Sequence, residues 1–142
     1  MELRYQLLRD DAHPPELATD GALGFDLRTT HDVTLRSREV VPAHTGVVVE
    51  PPEGFGLLLM MRSGLARKQQ IGLANGVGLI DEDYRGELIF ALQNNSHNVR
   101  HIRAGERIGQ MVLIPNYAAQ TRLVEGGLSD TARGTGGFGS TG

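Results

Sequence analysis

The chain contains no cysteine, which removes disulfides, thiolate nucleophiles and thiolate metal sites from consideration. Lysine is almost as scarce. Lys68 is one of 14 basic residues, and the other 13 are arginines. A phosphate bound here would be gripped by guanidinium forks and backbone N–H groups, not by a P-loop lysine. No run approaches the roughly 18 apolar residues of a membrane span, and the opening MELRYQLLRDDA has no apolar signal core. A cytoplasmic location and no membrane partner are therefore expected. The net charge of −3 argues against a general nucleic-acid binder. No repeat appears at periods of roughly 20–50 residues, which disfavours solenoids and propellers.

What is present suits one ordinary domain: 142 residues, 39% of them hydrophobic and 22% charged. Nineteen glycines and six prolines punctuate short apolar runs. Strands are predicted over 3–8, 25–29, 33–35, 45–50, 56–61, 87–93, 99–102, 107–115 and 120–124. Turn chemistry separates them at Pro14-Pro15, Asp20-Gly21, Pro42, Pro51-Pro52-Glu53-Gly54, Asn94-Asn95 and Ala104-Gly105. Only 64–70 reads as helix. Without intervening helices a parallel βαβ sheet is excluded, and an antiparallel sandwich, jelly roll or barrel is expected. Residues 126–142 hold seven glycines and almost nothing to bury, so they read as a mobile tail after a body of 1–125. Phe138 is out of place there, because a solvated aromatic calls for something to cover it.

Three polar clusters could carry chemistry. In the first, Asp81 follows the apolar run 77–80, so it is expected at the end of a buried strand, partly desolvated and well fixed, as a general base requires. In the second, Arg62-Ser63-Gly64 stands where a strand becomes the short helix. Ser63 reads as an N-cap, and the same geometry offers an anion free N–H groups, a hydroxyl and an arginine. In the third, the glycines between Arg133 and Gly142 would let successive N–H groups converge on phosphate oxygens. The five histidines (13, 31, 44, 97 and 101) show no metal-ligand spacing.

Together these residues resemble the trimeric deoxyuridine triphosphatases (dUTPases) along essentially the whole chain. Five motifs occur in the family order: Ala22-Leu23-Gly24-Phe25-Asp26-Leu27-Arg28; Arg62-Ser63-Gly64-Leu65-Ala66; Asn75 to Asp81 with Asp83-Tyr84-Arg85-Gly86; Gly105-Glu106-Arg107-Ile108-Gly109-Gln110-Met111; and Arg133 to Gly142. The departures are small. Met61 stands where proline is frequent, Gly109 where alanine is usual, and Leu23 where a small residue is usual.

The resemblance implies an all-β, jelly-roll-like β-barrel with one short helix, assembled as a homotrimer whose sites are shared. It implies hydrolysis of dUTP to dUMP and pyrophosphate, which limits uracil incorporation into DNA and supplies dUMP for thymidylate synthesis. Asp81 takes the role of base for water attack on the α-phosphorus. Arg62, Ser63, Gly64 and Gln110 hold phosphates. Asn75, Gly78, Leu79 and Ile80 read the uracil, Tyr84 packs under the deoxyribose, and Ile89 adds a substrate contact. Phe138 stacks on the base, while Arg133, Gly139, Ser140 and Thr141 reach the phosphates from a lid. Mg²⁺ is the implied cofactor, held mainly by substrate phosphates, with Asp26 reaching it through water. A dCTP deaminase shares the fold, but that group has a second serine where Gly64 stands. A regulatory nucleotide-binding protein of this fold is the alternative from another class.

Overall fold

The computed structural model describes residues 2–137. Among them are β1 (Arg4–Leu7), β2 (Glu16–Leu17), β3 (Phe25–Arg28), β4 (Val33–Leu35), β5 (Val40–Glu50) and β6 (Phe55–Met61), then α1 (Ser63–Gln69). They are followed by β7 (Ile71–Leu73), β8 (Gly78–Ile80), β9 (Glu87–Asn94), β10 (Arg100–Ile102), β11 (Arg107–Pro115) and a 3₁₀ turn at Ala118–Gln120. Every pairing is antiparallel. No helix among the described residues is long and apolar enough to cross a membrane.

The all-β, jelly-roll-like architecture with one short helix is present, but its strands form open sheets instead of one closed barrel. The sheet orders are β1-β5-β9-β7, β2-β3-β11-β6-β8 and β4-β10. Hydrogen bonding stops at β7 in one sheet and β8 in another. The hairpin that joins these two strands therefore crosses between layers without pairing its own arms. Side chains alternate about the pleat. On β9, Leu88, Phe90, Leu92 and Asn94 point inward, while Ile89 is 40% exposed. The inner faces enclose a core that includes Leu27, Leu35, Leu57, Ile71, Ile102, Ile108 and Met111.

Several predicted boundaries need correction. Strand β5 begins at Val40, five residues before the expected start at Thr45, and Pro42 lies within it opposite Ala91 instead of in a turn. Residues 120–124 are not a strand. Leu123 is 89% exposed, and the segment has no partner strand among the described residues. Residues 71–73 form a strand that was not predicted, because Ile71-Gly72-Leu73 is too short and glycine-interrupted to display a pattern, while 78–80 is the strand expected before Asp81. The helix begins at Ser63 with Arg62 in the capping position, and no side chain caps it.

Two local devices fix the layers near the site. Phe90 is fully buried with its ring over Gly109, where a Cβ would strike the ring and would lie 2.7 Å from the Met60 carbonyl oxygen. The alanine usual at position 109 has no room here. Second, β5 bulges between His44 and Val48. The Glu87 carboxylate closes that bulge, accepting from His44 Nδ1 at 2.8 Å and from the Gly46 N–H at 2.7 Å. Burial pushes the Glu87 carboxyl up, but the His44 and Gly46 hydrogen bonds outweigh it and hold it below its usual value.

Gly109→Ala should destabilise the fold by about 1–3 kcal/mol through overpacking. Adding Phe90→Leu should make the double variant more stable than the sum of the singles, as read from urea midpoints. Strict additivity would contradict the Phe90–Gly109 contact. The pH response of Glu87 has a fixed sign, because a depressed folded-state pKa stabilises fully above the unfolded value. The stability gap between wild type and Glu87→Gln should be widest near neutrality and close as pH falls below about 4.5. A gap independent of pH would exclude this ionic contribution.

Candidate active site

The strand-to-helix corner after β6 gathers one set of predicted residues around a buried carboxylate. Asp26 on β3 lies opposite Gln110 on β11 and is only 3% exposed. Gln110 Nε2 donates to its Oδ1 at 3.0 Å, and Arg107 Nη1 donates to its Oδ2 at 2.9 Å. Arg62 Nε stands 3.8 Å from Oδ1 and steadies itself by donating from Nη1 to the Arg107 carbonyl at 3.3 Å. Two guanidiniums share one carboxylate, so the corner keeps a net positive charge facing outward. That residual charge, with a planar donor fork, suits phosphate. Ser63 and Gly64 are exposed beside it. A Cβ at 64 would meet nothing within 4 Å, so the open space there lies outside the chain.

Arg107 was not singled out from the sequence, and strand alternation explains why. Residues 107 and 110 are three apart and would face opposite sides of a regular strand. The register shifts between Arg107 and Gly109, and this irregularity turns both side chains onto Asp26. The isolated Gly109 within the predicted strand is the one sequence signal of such a bulge, and it does not say which neighbours are turned.

A second set forms around the crossing hairpin. Asn75 and Gly76 occupy its tip, closed by the Gly76 N–H donating to the Leu73 carbonyl at 3.0 Å. Gly76 has φ +74°, which the turn needs and a side chain would resist. Because β8 pairs only with β6, the other edge of Gly78–Ile80 presents unpaired backbone donors and acceptors. Beyond β8, the Tyr84 N–H donates to the Asp81 carbonyl at 3.2 Å and closes a turn. The Tyr84 ring lies over Gly86, where a Cβ would strike it, and its hydroxyl donates to the Glu87 carbonyl at 3.1 Å. The ring is thus fixed while 41% of the residue stays exposed.

Asp81 corrects an expectation. It is exposed, not partly desolvated, because β8 is an edge strand and leaves the chain at the sheet's rim. It lines a cleft of about 660 Å³ with Gly56, Ile80, Asp83, Arg85, Asn116 and Tyr117.

Asp81 and the cationic corner do not meet within one chain. Ile80 pairs with Leu57, so Asp81 lies at the Gly56 end of β6, while Arg62 follows the opposite end. Six strand residues at about 3.3 Å each separate them by about 20 Å. Ile89 faces outward from β9. Arg133 is exposed on the C-terminal arm and donates from Nε to the Gly136 carbonyl at 2.8 Å. Phe138, Gly139, Ser140 and Thr141 lie outside the described residues. No cluster of three or more metal-ligating side chains occurs among the described residues.

The dUTPase family model matches residues 10–142. A deoxyuridine 5'-triphosphate nucleotidohydrolase of Hydrogenobaculum sp. (strain Y04AAS1) is 45% identical over 144 residues, covering 100% of this chain and 99% of the relative. The structure of the Staphylococcus bacteriophage 80alpha dUTPase with dUpNHpp is similar at a TM-score of 0.90 and 29% identity, covering 99% of this chain and 98% of that one. The dUTPase from phage phi11 of S. aureus, described with a structural Mg(II) ion, reaches a TM-score of 0.81 at 25% identity over 88% of this chain and 97% of that one. With the first four motifs seated in this fold and the family model matched over residues 10–142, the chain belongs to the dUTPase family.

Proposed function

We propose that this protein hydrolyses dUTP to dUMP and pyrophosphate in sites that three copies of the chain build together. The observation that carries the reading is the distance of about 20 Å along β6 between Asp81 and the phosphate-facing corner. A nucleotide cannot be held by Arg62, Ser63, Gly64 and Gln110 of one chain while that chain's own Asp81 reaches its α-phosphorus. A neighbouring copy supplies the other half. Apolar side chains left outside the core, such as Val40, Met60, Leu79 and Ile89, are 40–65% exposed and give that neighbour a surface to cover.

Within the assembled site, the Asp81 carboxylate accepts a proton from the water that attacks in line. Such base catalysis typically contributes about 10²–10⁴-fold. The open edge of Gly78, Leu79 and Ile80, with the Asn75 amide, pairs with the uracil edge, and a cytosine there leaves buried polar groups unpaired. Tyr84, locked by the Glu87 carbonyl, lies under the deoxyribose and leaves no room for a 2′-hydroxyl. Ile89 completes the contact. Residues 126–142 act as a lid on the 1–125 body, bringing Arg133 and the Phe138 stack with Gly139, Ser140 and Thr141 over the nucleotide.

Mg²⁺ fits this donor set as an ion held by triphosphate oxygens and water, since the described residues offer no protein cage. Both Asp26 oxygens already accept hydrogen bonds, so Asp26 reaches such an ion through an intervening water. When bound, the ion neutralises phosphate charge. The phosphate-holding residues orient the chain of phosphates whether or not they touch it.

Asp81→Asn keeps the shape and removes the proton acceptor, so kcat should fall by about 10²-fold or more while dUTP still binds. Arg62→Ala should be defective in its own right. Mixed and reassembled in equal amounts, the two inactive variants should regain about a quarter of wild-type activity, because independent draws give that share of sites both intact halves. Mixtures as inactive as their parents would refute the shared site. An Asp81→Asn enzyme at wild-type rate would remove the base.

A further inference from the structure

Asp81 is exposed, and its position is set by its backbone on either side. Before it, Ile80 is held in register by Leu57. After it comes Glu82, an acidic residue in a turn, whose ordinary fate is a solvated side chain. Glu82 behaves otherwise. Its Oε1 accepts from the Gly54 N–H at 3.0 Å, and its Oε2 accepts from Asn116 Nδ2 at 3.3 Å. These partners lie 28 and 34 residues away in sequence. They also hold each other, since the Asn116 N–H donates to the Gly54 carbonyl at 2.7 Å. Three segments thus close a ring of hydrogen bonds: the Asp81 turn, the turn before β6, and the root of the C-terminal arm. Arg85 braces the turn from the other side, donating from Nη1 to the carbonyls of Glu82 at 2.7 Å and Tyr84 at 2.9 Å.

We propose that Glu82 is a positioning residue for Asp81, pinning the catalytic turn to Gly54 and Asn116 so that the carboxylate stands in line with the attacked phosphorus. The inference rests on the reading of Asp81 as the base. A carboxylate on an edge strand has little packing to hold it, and a misplacement of about 1 Å costs on the order of 10²-fold in rate. Charge-assisted hydrogen bonds from two separate segments supply the missing stiffness. Asn116 also orients the start of the arm, because its Oδ1 accepts from the Ala118 N–H at 3.0 Å. The same ring therefore sets the direction in which the arm leaves the body.

The test is an exchange of polarity across the Glu82–Asn116 bond, read as steady-state kinetics with dUTP on assembled, folded enzyme. Glu82→Ala should lower kcat by about tenfold or more and leave KM within about twofold. Asn116→Asp sets two carboxylates against each other and should lose a similar factor. Combining Glu82→Gln with Asn116→Asp restores the bond: the new amide oxygen still accepts from Gly54, and its N–H donates to the introduced carboxylate. This pair should recover kcat to within about threefold of wild type. Rescue of that kind supports positioning even if Glu82→Ala proves unstable. A double variant no faster than Asn116→Asp alone overturns the assignment, as does a folded Glu82→Ala enzyme with wild-type kcat. If the wild type releases no pyrophosphate from dUTP, the parent reading falls and this one with it. An active wild type beside unchanged variants overturns only the role of Glu82.

Discussion

Strand β6 cannot be shortened, and much of the site's layout follows from that. Its residues pair with β11 at seven positions and with β8 at three, so it is clamped on both sides. An extended, doubly paired strand is one of the stiffest elements a small domain can contain. The chain uses it as a spacer, with a cationic corner at one end and a carboxylate at the other. Chemistry that needs both must import one from elsewhere. On the shared-site proposal, assembly is a condition of catalysis and not an addition to it.

The cationic corner illustrates how a buried charge can serve an exposed function. A lone carboxylate inside a sheet is costly, yet Asp26 is satisfied by Gln110 and Arg107, with Arg62 close by. The arrangement leaves one positive charge in excess and fixes three flexible side chains before any ligand arrives. Preorganisation of this kind reduces the entropy lost on binding a polyanion. The other half of the site is organised differently. Its residues lie on an edge strand and two turns, so hydrogen bonds between distant segments do what packing does in the core.

Much of this was legible in the sequence, and the limits have physical causes. The five motifs, in their order along the chain, pointed to the dUTPase family, and the jelly-roll-like fold followed from that resemblance. Long strands such as β11 were readable from apolar runs bounded by turn residues. Leu123 and Val124 looked like a strand because apolar character reports a need for burial, not the chain that satisfies it. Asp81 looked buried for a related reason: the run before it is apolar, but whether a strand is central or at an edge depends on topology. Arg107 was missed because a bulge reverses which side it faces, and Gly109 marks the bulge without saying which neighbours turn. Glu82 resembled any acidic turn residue, and only its distant partners distinguish it.

The contact between Phe90 and Gly109 has a consequence for how this sequence can change. The two positions are not independent sites of variation: a large ring at one excludes any side chain at the other. Alanine reached at 109 in a single step carries the full overpacking cost. If the ring shrinks first, that step opens a void in the core before the second fills it. The Met60 carbonyl, 2.7 Å from the same Cβ position, adds a limit that a smaller ring does not relieve, so the glycine answers to the spacing of two strands as well as to its aromatic neighbour.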